Sequence, residues 1–445
     1  MIVRAITRWS LPVLFALLLL PGGSLHGQET AERLAIVGGF LIDGTEGPPI
    51  ENSVVLVEGN RITDVGTVAD TEIPEGARVI DANGRTVMPG LMDAHVHLWI
   101  AGHGVYPEWD ATYMDRFREI MPISAEELLH AGVTSVREMG GPLEDLMWMK
   151  EQVESGQVEG PRIFTAGPFL QKNVLEREEF FRWEVDGAED ARSKTRRLVE
   201  EGVDLIKVIQ LPQLSEAERA AIAEEAHEAG LPIAVHASSR EAVRLAAEME
   251  VASIEHVGAG AKPEYPEETV RLMADHGIAA SLTSIVGKIY DITKAYPERL
   301  DDPRLERDFP DDIYRDIRQS LEHFSRLGYF EGAKDANRTH PRKVRQLYNG
   351  GVDLVIGTDS GTPMNFHYES TWQEMDLFVR YGIPPMKVIS MATRHNAELF
   401  GAADELGTVE PGKLADIIVV DGNPLRYMSA LQDVEHVIKG GKVVK

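Results

Sequence analysis

The residues of this chain best placed to do chemistry are His95 and His97, two positions apart at the end of the apolar run TVMPGLMDAHV. The run reads as a buried strand, and side chains at i and i+2 leave a strand on the same face. Both imidazoles can therefore reach one point in space, which is half of a metal site. With no cysteine anywhere in the chain there is neither a thiolate ligand nor a disulfide, so further ligands must be histidines, carboxylates or something less usual. Lys207, in DLIKVIQ, shares a strand face with Leu205 and Ile209. An unpaired ammonium among apolar neighbours is costly, so this one must be neutralised, paired with a carboxylate, or used. His236 closes PIAVH, His256 follows SIE and Asp359 follows LVIGT. Taken singly, the histidines read as hydrogen-bonded core or loop residues and Asp359 as a turn or helix cap; their joint meaning depends on the scaffold.

From about Thr86 to Leu399 strand-like and helical runs alternate. Eight strands are expected, over 87–97, 133–137, 162–166, 205–209, 233–237, 253–257, 278–283 and 353–358. Amphipathic stretches such as SEAERAAIAEEAHEAG and SREAVRLAAEMEV lie between them. Alternating β and α units call for a parallel sheet, and eight of them for an α/β fold of the (β/α)8 TIM-like barrel type, here over residues 88–403. The carboxyl ends of the strands carry the chemistry in such barrels. His95, His97, Lys207, His236, His256 and Asp359 fall on or just after strands one, four, five, six and eight, so one barrel would gather all six. The charged stretch 284–349 is too long for an ordinary connection and is expected to be a helical insertion, either covering the site or making the contact of a homo-oligomer. The β-rich runs at both ends, 28–87 and 404–445, are expected to form one small β-sandwich domain.

The formal charge of −27 excludes phosphate backbones as natural partners, so no nucleic acid is expected. Arg4 and Arg8 flank the apolar stretch Leu11–Leu20, followed by Pro21, Gly22, Gly23 and Ser24. This reads as a signal peptide over residues 1–27, its apolar part shorter than the ~20 residues of a membrane-spanning helix. The expectation is an exported protein, periplasmic or extracellular, with no membrane span after cleavage.

The ordered motifs MPGLMDAHVHL, AGVTSVREMGG, DLIKV, PIAVHA, SIEHV, GTDSG, SMATRHNAELFG and GTVEPGKLADIIVVDGNPL run through nearly all of the expected mature chain. In them the chain resembles the amidohydrolase superfamily, and within it the imidazolonepropionase-like and prolidase-like metal-dependent hydrolases. That resemblance implies two divalent metal ions. His95, His97 and Asp359 would hold the more buried one and His236 and His256 the more exposed one, with Lys207 carrying a carbon dioxide adduct that bridges both. Imidazole and oxygen ligands favour zinc, with manganese and cobalt as alternatives. The resemblance also implies hydrolysis of an amide-type carbon–nitrogen bond in a small molecule, such as a dipeptide or N-acyl amino acid, with Asp359 as the catalytic proton shuttle.

Two features bear on substrate. Many prolidase-like relatives have a glycine-rich segment after the fourth-strand lysine, where this chain has Gln210-Leu211-Pro212-Gln213. Trp99 and Tyr106, in an aromatic-rich loop after strand one, are expected either to meet an apolar substrate group or to pack that loop onto the barrel. Arg137 can bind a substrate carboxylate or serve in a structural ion pair, and His367 can support the ligands from behind. The competing readings are a one-metal deaminase or cyclic-amidine hydrolase, a lactone or phosphotriester hydrolase on the same site, and a non-catalytic binding barrel.

Overall fold

A computed structural model of the chain describes residues 32–258, 264–331 and 333–445, with 333–336 described by their backbone alone. The expected signal peptide, 1–27, lies outside the described residues. No helix among the described residues is long and apolar enough to cross a membrane.

Eight parallel strands form the barrel: Leu91–Val96, Val133–Glu138, Arg162–Thr165, Ile206–Val208, Ile233–His236, Ser253–Glu255, Ala279–Ser281 and Leu354–Val355. The ring closes between strands eight and one, where Ala94 N donates to Ile356 O at 2.8 Å and Val96 bridges to Ser360. It closes between strands three and four through Asp204 N donating to Thr165 O, also at 2.8 Å. A short strand, Phe169–Gln171, then continues strand three and pairs with strand four at Val208. The helices between strands are set by their sequence: Glu216–Glu228 starts with a capping box of Ser215 and Glu218, and Arg240–Glu248 with Ser239 accepting from Ala242 N.

The single strand expected over 87–97 is two. Arg85–Pro89 belongs to another sheet, and Leu91–Val96 to the barrel, with Gly90 between them. A Cβ at Gly90 would lie 2.3 Å from Thr134 Oγ1, so only glycine lets the chain cross from one sheet to the other against strand two. The other sheet takes Arg33–Leu41, Ile50–Glu58, Arg61–Thr67, Arg78–Asp81 and Arg85–Pro89 from one end of the chain, and Ile417–Asp421, Val434–Lys439 and Lys442–Val443 from the other. The two ends meet where Ile417–Asp421 runs antiparallel to Arg85–Pro89, and Arg61 bridges to Leu414. Leu34, Ile36, Val55 and Ile62 share a buried cluster with Ile417, Val419 and Ile438.

The 284–349 stretch is helical, with Ser284–Ala295, Pro303–Asp308, Asp311–Leu321 and Ala333–Asn349. Ile313, Ile317 and Leu321, four residues apart, are buried along one face of Asp311–Leu321. Tyr329 and Phe330 from this insertion reach the cavity over the barrel mouth.

Candidate metal centre

His95 leaves strand one and His97 follows its end; both are buried. His95 Nδ1 lies 2.9 Å from Glu255 Oε2, and His97 Nδ1 lies 3.0 Å from Gly140 O and 3.3 Å from Glu138 Oε1. These acceptors assign a proton to Nδ1 in both rings. Both Nε2 atoms face Asp359 Oδ1, at 3.4 Å from His95 and 3.2 Å from His97. Two ligand atoms each ~2.1 Å from a tetrahedral zinc lie ~3.4 Å apart, so the three residues fit one such ion. Their ligand atoms all lie within 4.8 Å of one another.

The six residues gathered by sequence meet at one end of the barrel. The ring centroids of His97 and His95 are 5.4 Å apart, those of His95 and His256 4.7 Å, and those of His256 and His236 4.4 Å. His256 Nδ1 is held by Thr283 Oγ1 at 2.8 Å. Lys207 is buried and lines the same cavity, and among the described residues no acceptor reaches its Nζ. His256, Thr283 and Asp359 all have left-handed backbone, with φ of 60°, 47° and 57°. Such conformations are costly for these residue types and cluster where a site needs them. Gly361, two residues past Asp359, has φ +94°, and a Cβ there would lie 2.5 Å from both His97 O and Ile100 O. The loop after strand eight therefore closes onto strand one through a position only glycine fits.

Opposite charges at the triad sustain one another. Burial works against charge on His97, yet Asp359 and Glu138 hold its pKa up at about 9. Burial also opposes ionisation of Asp359, but His95 and His97 hold its carboxyl well below the usual range. Burial, with Lys207 beside it, pushes His95 down to about 4, so this imidazole is the neutral form that a metal needs. Burial, aided by Arg137 and opposed by Glu255 and Asp359, pulls the Lys207 ammonium down to about 8.

Among the expected substrate contacts, Trp99 and Tyr106 line the cavity, which has a volume of about 500 Å3. Trp99 is also fixed as packing, its Nε1 donating to Gly140 O at 2.9 Å. Arg137 does not reach the cavity: its Nε donates to Ala94 O at 2.9 Å and its Nη2 to Glu255 Oε1 at 2.6 Å, so it is the structural ion pair behind His95. His367 is buried behind His97, its Nε2 3.1 Å from His97 O.

Several site residues went unrecognised in the sequence. Glu255 and Glu138 orient His95 and His97, and Asp93 ties strand eight to strand one by accepting from Thr358 N at 3.1 Å and Thr358 Oγ1 at 2.8 Å. Each stands beside a motif residue, Glu255 before His256, Glu138 after Arg137 and Asp93 two before His95, which is the signal that marks them. Asp110, Arg182, Tyr329 and His340 also line the cavity, brought there from distant loops. Ser284 Oγ lies 3.1 Å from His340 Nε2, and Glu374 accepts from Ser284 N and Ile285 N to start the helix that carries Ser284.

The sequence profile of the amidohydrolase family matches residues 86–444. An imidazolonepropionase of Alkaliphilus oremlandii is 25% identical over 433 residues, covering 89% of this chain and 90% of that protein. A 5-methylthioadenosine/S-adenosylhomocysteine deaminase of Symbiobacterium thermophilum is 26% identical, covering 88% of this chain and 85% of that protein. Among solved structures, a Xaa-Pro dipeptidase with methionine bound in its active site matches with a TM-score of 0.74 and 26% identity, covering 93% of this chain and 100% of that one.

Proposed function

The chain belongs to the amidohydrolase family of metal-dependent hydrolases acting on carbon–nitrogen bonds, and on that premise we propose that it uses two divalent ions to hydrolyse an amide bond in a small molecule. The bond is that of a dipeptide or an N-acyl amino acid. The observation that carries the reading is Lys207, a buried amine among four imidazoles and a carboxylate, with no acceptor among the described residues. A one-metal site has no use for it. Reaction of the neutral amine with carbon dioxide forms an N–C bond, releases one proton and turns the orphaned cation into an anionic ligand. The lowered lysine pKa favours the neutral amine that this reaction needs. His95, His97 and Asp359 would hold one ion and His236 and His256 the other, with the Lys207 carbamate shared; imidazole and oxygen donors suit zinc.

Ions held there would polarise the substrate carbonyl and bring a water to hydroxide near neutral pH. Asp359 presents Oδ1 to the two histidines, which leaves Oδ2 to take the remaining proton of the attacking hydroxide and pass it to the leaving nitrogen. The aromatic wall around Trp99 and Tyr106 holds the substrate and keeps bulk water from the carbonyl.

Metal content per chain tests the reading directly. The parent protein should carry close to two ions, and Lys207→Ala fewer, partly restored by short-chain carboxylic acids. A second reading, a one-metal deaminase, draws on the compactness of the His95, His97 and Asp359 cluster and on the deaminase relative. One ion per chain, unchanged in Lys207→Ala, would replace the first reading with the second. Export rests on the leader alone, and the amino-terminal sequence of protein recovered outside the cytoplasm tests it.

A further inference from the structure

Away from the ligand cluster, the cavity wall holds a buried carboxyl, one oxygen of which has no hydrogen-bond donor among the described residues. Asp110 stands on the helix Tyr106–Tyr113 in the loop after strand one; it lines the cavity and is 7% exposed. Among the described residues no donor reaches its Oδ1. The charged groups acting on it are Glu178, Arg182 and Arg177, all from the segment after strand three. Arg182 is partly engaged elsewhere, and among the described residues no acceptor hydrogen-bonds to its Nε. Its guanidinium lies 5.1 Å over the Phe169 ring and 4.7 Å over the Phe181 ring, its Nη1 donates to Gln171 Oε1 at 2.7 Å, and its Nε is 3.6 Å from Glu178 Oε2.

A carboxylate removed from water without a donor is a heavy cost to a fold, and packing alone gives no reason to keep it. A ligand that meets the carboxyl from the cavity supplies one. Glu178 in the same wall is balanced by Arg182, and the faces of Trp99 and Tyr106 attract cations. We propose that Asp110 receives a cationic nitrogen bearing N–H donors, an ammonium or a guanidinium, at the end of the substrate remote from the bond that is cut. The inference rests on the hydrolase reading for what it says of substrate, and on the cavity alone for what it says of binding.

Both parts are tested on the metal-loaded protein. Benzylguanidinium, which does not coordinate metals, is compared with neutral benzyl methyl ether by calorimetry, without any need for turnover. The parent should bind the cation at least about ten times more tightly, and Asp110→Asn should lose at least about tenfold of that affinity, as expected when one partner of a buried charge pair is removed. Equal affinities in the parent overturn the proposal even if the variant fails to fold, as does unchanged affinity in a folded variant. Dipeptides containing lysine, arginine or norleucine at either position then give kcat/KM ratios. The ratio of the better cationic substrate to its norleucine counterpart should fall at least about thirtyfold in Asp110→Asn, and lysine against arginine separates ammonium from guanidinium. An unchanged ratio overturns the proposal. Failure of the parent to cleave any dipeptide or N-acyl amino acid would count against the hydrolase reading, while the binding comparison would still decide the role of Asp110.

Discussion

The proposed function gives Asp359 two tasks whose separation can be measured. Its Oδ1 belongs to the triad with His95 and His97, and the proton shuttle needs the carboxylate charge. Asp359→Asn keeps an oxygen for the triad and loses the base, so it should retain most of the metal while kcat falls about 10²–10⁴-fold; near-normal turnover would remove Asp359 from the proton path. Asp110 gives a pH signature. Burial, with Glu178 beside it, raises its pKa from 3.8 to about 6, against Arg182 and Arg177. The folded chain thus holds this proton more tightly than the unfolded chain, and stability falls as pH rises from about 4 through about 6. Asp110→Asn removes that loss, so its melting temperature should exceed the parent's by about 2 °C or more at pH 7.5, with little difference at pH 4. A gain of equal size at both values would mean that the carboxyl does not titrate this way. At this scale the ligand candidates were legible because each sits in a short local motif. Asp110 and His340 were not: nothing in an acid on a surface-like helix, or in a histidine 84 residues past His256, says which cavity it will line.

Strand existence was legible from apolar runs between turn residues, but the strands are shorter than those runs. The eighth, read over 353–358, pairs as a strand only at Leu354–Val355, because the chain beyond it turns out to place Asp359 over the barrel mouth. The split at Gly90 was hidden for a related reason: an apolar run buried in two successive sheets has the same periodicity as one buried in one. Gly361 shows how closely these ends are fitted. A methyl group there would strike the backbone oxygens of His97 and Ile100. Gly361→Ala should cost about 2 kcal/mol or more and weaken metal binding, read by denaturant unfolding and by metal retained after dialysis. Parent-like values for both would show that the loop can relax without disturbing strand one.

Across the whole molecule, the pairing of the two chain ends was suggested by their shared β-rich style, but the partner strands were not, since register depends on contacts more than 300 residues apart. Ile417–Asp421 lies against Arg85–Pro89 and is covered on its other side by Val434–Lys439. Removal of residues 434–445 would strip Val437 and Ile438 from the core and leave an unpaired edge. Such a chain should lose metal content together with cooperative unfolding. A fully loaded truncated chain would mean that the barrel stands without the composite sheet.

The crossing at Gly90 gives that arrangement a meaning in time. The strand that carries His95, with His97 just past its end, emerges directly from a strand whose neighbour is made about 330 residues later. An interrupted product of translation would carry His95 and His97 without the anchor that aims them. If the truncated chain loses its metal as expected, the power to cut bonds is tied to possession of the entire polypeptide.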